Sequence, residues 1–268
     1  MNNFWTAVAA LTRREIVRFL RQRNRVIGAL ATPLFFWFFI GSGVGRSFNG
    51  ANGSGAAQGG DVNSYLHYFF PGTLLLIVLF TAIFSTISII EDRREGFLQG
   101  VLVSPIPRSA FVLAKLLGGT FLSLVQCLLI YGAAVAVGLP FTAESFLLFL
   151  GTVAALGMGL TALGYLIAWP LDSTQGFHAL MNLFLMPLWF LSGALFPISG
   201  SAGWLQTVAA LDPLTYGLAL LRAALNPGAP LPAGVPDAGL SAAVTVLFAL
   251  VLAWGCVVLT KKLHVRHP

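Results

Sequence analysis

Residues 69–90 read FFPGTLLLIVLFTAIFSTISII, and residues 91–95, which follow directly, read EDRRE. The first run is free of Asp, Glu, Lys and Arg, and it is as long as the roughly 20 helical residues that cross a bilayer. The second run must lie outside the hydrocarbon, because a charge in the bilayer centre is costly. Together the two runs predict a transmembrane helix with a strongly charged end.

Working outward from this helix, five further segments without Asp, Glu, Lys or Arg are long enough to span a bilayer. Each must be helical, because lipid offers the backbone no hydrogen-bond partner. The short alternating segments of a membrane β-barrel do not occur in the sequence. We therefore predict an all-α membrane protein, one domain over residues 1–268, with transmembrane helices at residues 26–44, 69–90, 116–139, 145–169, 177–196 and 240–260.

The composition of the chain agrees with this class. Of 268 residues, 57% are hydrophobic and 9% are charged, whereas about a quarter of the residues of a soluble domain are charged. These values exclude a water-soluble enzyme, and the hydrophobicity excludes a disordered chain. The net charge of +6 does not indicate nucleic-acid binding, because the basic residues lie between the spans and not along one exposed face.

The positions of Lys and Arg predict the orientation of the chain. With both termini in the cytosol, all of the 15 basic residues except Arg46 and Arg222 lie on the cytosolic side. We therefore expect a multi-pass protein of the plasma (inner) membrane with both termini cytosolic.

Residues 1–25 have the pattern of an amphipathic helix. At about 100° per residue, the apolar side chains share one broad arc and the arginines take the other side. Glu15 is the one misplaced charge. Such a helix lies in the cytosolic interface with its arginines toward lipid phosphates and water, and a plain topology anchor is the equal alternative. The arginines assigned to the interface are Arg13, Arg14, Arg18 and Arg21.

Residues 91–115 are predicted to form a cytosolic segment with a short helix inside it. The helix covers Phe97–Val103, and Pro105 and Pro107 end it. A short helix with sharp limits suits docking to a partner, while a solvated charged loop is the simpler alternative. The candidate docking residues are Glu91, Asp92, Arg93, Arg94, Glu95, Gly96, Phe97, Leu98 and Pro105.

Residues 201–226 lie on the outer side in this topology, but they are too apolar for a solvated loop. Asp212–Pro213 divides them into Trp204–Leu211 and Leu214–Leu225, because Asp as N-cap and Pro at the first helical position start a helix. Neither half is long enough to cross the bilayer. We predict a re-entrant outer helical hairpin, and the alternative is two helices that lie on the surface.

The spans lack the groups that other membrane functions need. No Asp, Glu, Lys or Arg lies mid-span, which disfavours an ion-coupled carrier. There is no HExxH zinc motif, and none of Lys115, Lys261 and Lys262 belongs to a phosphate-binding GxxxxGK[ST] motif. We assign no catalytic, metal or cofactor residue. If ATP drives this protein, the ATPase is another chain.

Three groups of residues together resemble one family. Phe70–Pro71–Gly72 opens the second span, and the run Glu91–Gly96 leads to Leu102–Pro105 and Lys115. The third group is an outer motif, which consists of Gly193, Phe196, Pro197, Trp204, Asp212, Pro213, Tyr216 and Arg222. The chain resembles, over nearly its whole length, the integral-membrane permeases of ATP-binding-cassette transporters of the type-two exporter class, which includes drug, antibiotic and polysaccharide export permeases. Two positions depart from the family pattern: Gln99, where an acidic residue is expected, and Asp212, where Asn is commoner.

The resemblance implies a transport subunit and not an enzyme. It implies export of amphiphilic cargo, such as a drug-like compound, a lipid or a lipid-linked glycan. It also implies a homodimer of permeases, each paired with a separate cytosolic subunit that binds the ATP. In such a protein residues 91–115 contain the coupling helix, which sits in a cleft of that subunit. An ATP-independent secondary carrier and a scaffold without transport are the alternatives.

Overall fold

The computed structural model describes residues 2–51, 62–227 and 236–262. Within these ranges the chain is helical and has no strand, so the predicted all-α class is confirmed. The α-helices are α1 Asn2–Arg21, α2 Arg23–Ala51, α3 Val62–Arg94, α4 Phe97–Val103, α5 Arg108–Ala136, α6 Ala143–Ala168, α7 Thr174–Leu191, α8 Gly203–Leu211, α9 Pro213–Leu225 and α10 Ala238–Lys262.

Four of the described helices, α3, α5, α6 and α10, are long and apolar enough to cross a membrane. The number is five if α8 and α9 count as one bent span. Of the most apolar stretch of α3, 83% is buried, whereas the corresponding value for α10 is 17%. Helix α3 therefore lies at the centre of the bundle, and α10 leaves most of its apolar surface on the outside.

Helix α7 is shorter than the sequence predicts. The predicted span covers residues 177–196, but α7 ends at Leu191, so the prediction is wrong for residues 192–196. The cause is Gly193, whose φ of 83° lies in the left-handed region that ends helices. Residues 137–139 likewise lie beyond the end of α5, although the third predicted span includes them.

Helix α4 begins and ends at the predicted residues. Gly96 precedes it with a φ of 77°, which turns the chain away from the end of α3. The inner side of α4 is packed, because Leu98 and Val101 are buried. On the opposite side Gln99, Gly100 and Val103 are exposed.

Helices α8 and α9 meet at 84°. The Asp212 carboxylate accepts a hydrogen bond from the Leu214 backbone N–H at 2.9 Å, and Pro213 is the first residue of α9, as the pattern predicts. The two helices are not equivalent. Nearly all of α9 is buried against α6 and α10, whereas in α8 only Ala209 is buried.

Candidate coupling site

The charged end of α3 forms a network of ion pairs and hydrogen bonds with α1, α2 and α5. We call this network the charge cluster. It consists of Arg14, Glu15, Arg18, Arg25, Ser88, Glu91, Asp92, Glu95 and Lys115.

Asp92 lies at the centre of the charge cluster, and its side chain is fully buried. Its Oδ1 accepts hydrogen bonds from Arg14 at 2.8 Å and from Arg18 at 2.5 Å, both on α1. Its Oδ2 accepts from the Nζ of Lys115, on α5, at 2.5 Å. One carboxylate thus binds three cations from two helices. A buried carboxylate requires such partners, because desolvation of an unpaired charge costs several kcal/mol.

Lys115 is the buried cation of the charge cluster, with a side chain that is 3% exposed. Besides Asp92, its Nζ donates to Glu15 Oε1 at 2.7 Å and to Ser88 Oγ at 2.8 Å, so all three ammonium donors are used. Ser88 Oγ in turn donates to Glu15 Oε2 at 2.8 Å. Lys115 therefore joins α1, α3 and α5 at a single point.

Arg18 extends the charge cluster toward the surface. It binds Glu91 and Glu95, with N–O distances of 2.9 Å to each, and Arg25 at the start of α2 also binds Glu91. Burial opposes the charged form of Arg18, but the carboxylates of Asp92, Glu91 and Glu95 outweigh it and raise the pKa of the guanidinium. Arg18 therefore stays cationic, and α1 stays paired with the end of α3.

Arg93 and Arg94 connect the end of α3 to the loop between α6 and α7. Arg93 donates to the Leu171 carbonyl at 3.0 Å and to the Asp172 carboxylate at 2.9 Å, and it also donates to the Trp169 carbonyl. Arg94 Nε donates to the Asp172 carbonyl at 2.9 Å. The charged run is therefore not a freely solvated loop, because all five of its residues, Glu91 to Glu95, bind other parts of the chain.

Helix α4 is held against this structure by Arg14. The Arg14 guanidinium carbon lies 3.5 Å from the centroid of the Phe97 ring, while the same side chain binds Asp92 and Glu15. A guanidinium over an aromatic face is an attractive contact. The position of α4 is therefore linked to α1 through one side chain. Pro105, just beyond α4, is exposed.

The interface arginines divide into two pairs. Arg13 and Arg21 are exposed, as predicted for residues that face water or phosphate. For Arg14 and Arg18 the prediction is wrong, because both turn inward to the carboxylate of Asp92. The physical reason is that a buried carboxylate competes with solvent for a nearby guanidinium. The resulting ion pair has a short N–O distance and is less screened than a contact at the surface.

The ion pair of Glu15 with Lys115 was not predicted from the sequence. One signal was present: Glu15 lies among apolar residues on the helical wheel of α1, which indicates a buried side chain with a partner elsewhere. Lys115 gave no comparable signal, because a lysine near the end of a span is ordinarily an interfacial anchor.

Part of the outer motif converges on the turn after α7. Arg222 donates to the Gly193 carbonyl at 2.7 Å, and the Tyr68 hydroxyl donates to the same oxygen at 3.0 Å. The Arg222 guanidinium also lies 4.6 Å from the centroid of the Tyr68 ring. Arg222 is buried, so these contacts replace part of the water that its charge has lost, while its Nε is buried without a hydrogen-bond partner.

The other members of the outer motif lie apart from this turn or support the hairpin. Asp212 and Pro213 start α9, and the Tyr216 hydroxyl donates to the Ala210 carbonyl at 2.8 Å, near the end of α8. Phe196 and Pro197 are half-buried in the segment before α8. Trp204, on α8, is 67% exposed.

No group of three or more His, Cys, Asp or Glu residues in the described parts of the chain is arranged to hold a metal ion. Cys127 and Cys256 are both free and buried, on α5 and α10. The charge cluster joins α1, α2, α3 and α5 by ion pairs and hydrogen bonds.

Long apolar helices with a compensated charge cluster at one end define a multi-pass membrane protein. The chain belongs to the ABC-2 type transporter family, whose sequence profile matches residues 6–226. The protein is therefore a transport permease of the ATP-binding-cassette class.

Individual relatives agree with this assignment. The chain is 27% identical over 220 residues to the transport permease ycf38 of Cyanophora paradoxa, an alignment that covers 79% of this chain and 71% of the relative. It is 24% identical over 213 residues to the doxorubicin resistance ABC transporter permease DrrC of Mycobacterium tuberculosis, covering 79% and 74%. It is 24% identical over 230 residues to Nodulation protein J of Rhizobium meliloti, covering 82% and 81%.

Proposed function

We propose that this chain is the membrane subunit of an ATP-driven exporter, powered by a separate cytosolic subunit that binds and hydrolyses ATP. Two copies of the chain form the permease, and each is paired with one ATP-binding subunit. In this arrangement α2, α3, α5, α6, α7 and α10 are six spans. Both termini lie in the cytosol, and the membrane is the plasma (inner) membrane.

The observation that carries the proposal is the exposed side of α4. Val103 is 86% exposed, and Gln99 and Gly100 are exposed on the same short helix, whereas Leu98 and Val101 anchor it from below. A Cβ built on Gly100 would meet no atom within 4 Å, so the surface there is open. A short helix that is held by buried residues on one side and leaves its other side free suits the cleft of a partner protein. The family supplies the partner, an ATP-binding subunit.

The charge cluster supports the cytosolic position of α4. It gathers Arg14, Arg18, Arg25 and Lys115 at the same end of the bundle as α4, and Arg93 and Arg94 lie beside them. Basic residues are enriched on the cytosolic side of membrane proteins. This end of the bundle is therefore the one that faces the ATP-binding subunit.

In the proposed mechanism, closure of the ATP-binding subunits pushes α4. The push reaches α1 through the contact of Phe97 with Arg14, and it reaches α5 through Asp92 and Lys115. Arg93 carries it to the α6–α7 loop. Several helices therefore tilt together, and this opens a path for cargo between the two permeases toward the outside.

The proposed cargo is amphiphilic, because the walls available to it are apolar. A cavity of about 550 Å³ lies between α2, α3 and α5, which is within the size range of small-molecule sites. Its lining is apolar apart from His67 and Trp37, and the Trp37 indole N–H already donates to the Leu66 carbonyl. An amphiphile could place its apolar part against these walls.

A single exposed substitution tests the docking surface. In V103D a charge replaces the exposed apolar residue of α4 without disturbing the buried Leu98. We expect co-purification of the ATP-binding subunit to fall about tenfold or more, which corresponds to about 1.4 kcal/mol of binding free energy. Substrate-stimulated ATPase activity should fall with it.

The matched control is L211D, because Leu211 is 80% exposed but lies at the end of α8. L211D should leave co-purification unchanged. Equal binding of V103D and the unmodified chain would show that α4 is not the docking helix. Transport without any ATP-binding subunit would favour an ATP-independent carrier.

A further inference from the structure

We propose that the groove between α1 and α5 binds one anionic phospholipid of the cytosolic leaflet, with an acyl chain in the groove and the phosphate at Arg13. The groove has a volume of about 440 Å³. Its walls are Trp5, Val8, Ala9, Ile16 and Val17 of α1 and Leu117 of α5, with Thr12 and Arg13 among them.

Of the two polar residues that line the groove, Thr12 and Arg13, only Arg13 is available to bind a charged ligand. The Thr12 hydroxyl already donates to the Ala114 carbonyl, at 3.4 Å. Arg13 is exposed, and in the described part of the chain it has no carboxylate partner. The site therefore combines an apolar channel with a single unpaired cation, which is the chemistry that complements an anionic amphiphile.

The difference between Arg13 and its neighbour Arg14 identifies the sign of the ligand. The carboxylates near this end, Asp92 and Glu15, are bound by Arg14, Arg18 and Lys115. None of the described carboxylates is paired with Arg13, so its exposed guanidinium is open to an anion from outside the chain. A guanidinium and a phosphate form charge-assisted hydrogen bonds, often two in parallel, and these hold an anionic headgroup at one position.

The apolar walls identify the rest of the ligand. Trp5 is 62% exposed and Val17 is 38% exposed, so the groove presents hydrocarbon surface that water wets unfavourably. Leu117 belongs to α5, which is long and apolar enough to cross the membrane, so the groove borders the lipid bilayer. Lipid chains are the apolar material within reach, and an amphipathic helix such as α1 buries its apolar side among them.

The test counts the lipids that stay with the full chain. The purified protein is incubated in mixed micelles with equal amounts of phosphatidylglycerol and phosphatidylcholine of identical acyl chains, repurified, and analysed by native mass spectrometry. The unmodified chain should retain phosphatidylglycerol in preference to phosphatidylcholine. R13Q should lower that preference about tenfold, because the charge-assisted hydrogen bonds to the phosphate are lost. A9W fills the groove while Arg13 remains, and it should lower retention of both lipids.

The control R23Q removes an equally exposed arginine that does not line the groove, and it should retain lipid like the unmodified chain. If A9W lowers the thermal stability, V17F provides a second groove-filling variant at an exposed position. If R13Q and R23Q lower the preference for phosphatidylglycerol equally, the preference comes from general surface charge, and the proposed site is wrong. Unchanged retention in both groove-filling variants would also overturn the site.

Discussion

Lys115 on α5 donates a hydrogen bond to Glu15 on α1 at 2.7 Å, and the side chains of both residues are nearly inaccessible to solvent. The pair joins the amphipathic helix α1 to the long apolar helix α5. It lies beside the end of α3, from which the chain continues into α4. Because Lys115 also binds Asp92, any movement of the end of α3 acts on both helices.

Replacing Lys115 with Met should strongly destabilise the protein. The substitution leaves the charge cluster with one excess negative charge, although Arg14 and Arg18 still bind Asp92 and Arg14 still binds Glu15. We therefore expect a cost of about 3 kcal/mol, the lower end of the range for a broken buried ion pair. The melting temperature in detergent, followed by tryptophan fluorescence, measures the effect. K261M removes an exposed lysine of α10 and should melt like the unmodified chain. Equal melting temperatures for the two variants would contradict the buried pairing.

Replacing Arg14 with Gln should separate ATP hydrolysis from transport, provided that the proposed function is correct. The variant loses the contact with Phe97 and the bond to Asp92 but leaves the exposed side of α4 unchanged. We therefore expect the ATP-binding subunit to co-purify normally while cargo moved per ATP falls several-fold. R23Q is the control for loss of one arginine. A proportional loss of binding and transport in R14Q would mean that Arg14 only stabilises the fold.

Asp212 should tolerate Asn but not Ala. Its Oδ1 accepts from the Leu214 N–H, and the amide oxygen of Asn can accept the same bond. D212A removes the cap of α9 and should cost about 1 kcal/mol. In D212N the stability should be unchanged or higher, because a neutral amide costs less to bury than a carboxylate whose second oxygen has no partner. A D212N protein as unstable as D212A would show that the charge itself is needed.

Gly193 should not accept a side chain. Its φ of 83° costs an L-residue about 1–2 kcal/mol, and a Cβ there would lie 2.7 Å from Ile198 Cδ1. G193A should therefore lower the melting temperature measurably. Gly200, in the 3-10 helix Ile198–Gly200, has open space around it, so G200A should be neutral. If the two variants melt together, the turn after α7 is more adaptable than its geometry indicates.

The local features of the fold could be predicted from the sequence, because each rests on residues close together in the chain. Pro105 and Pro107 limit α4, and Asp212 with Pro213 starts α9. The long apolar runs predict helices, because lipid leaves the backbone no other solution. These signals do not depend on where any helix packs.

The charge cluster could not be predicted in the same way. Glu15 and Lys115 are separated by 100 residues, and nothing in either neighbourhood identifies the other. The inward turn of Arg14 and Arg18 depends on the position of Asp92, which only the packing of α1 against α3 and α5 determines. The early end of α7 also depends on tertiary structure, because Arg222 of α9 binds the Gly193 carbonyl that the turn exposes.

The early end of α7 has a consequence for the thickness of the membrane. Its 18 residues measure about 27 Å, which is less than the hydrocarbon depth of about 30 Å. If α7 crosses the bilayer, either the lipid beside it thins or the turn at Gly193 sits below the headgroups. The second arrangement is permitted because Tyr68 and Arg222 already satisfy the free carbonyl of Gly193, so this non-helical backbone needs no water. The protein, and not a thinner bilayer, would then compensate for the hydrophobic mismatch at α7.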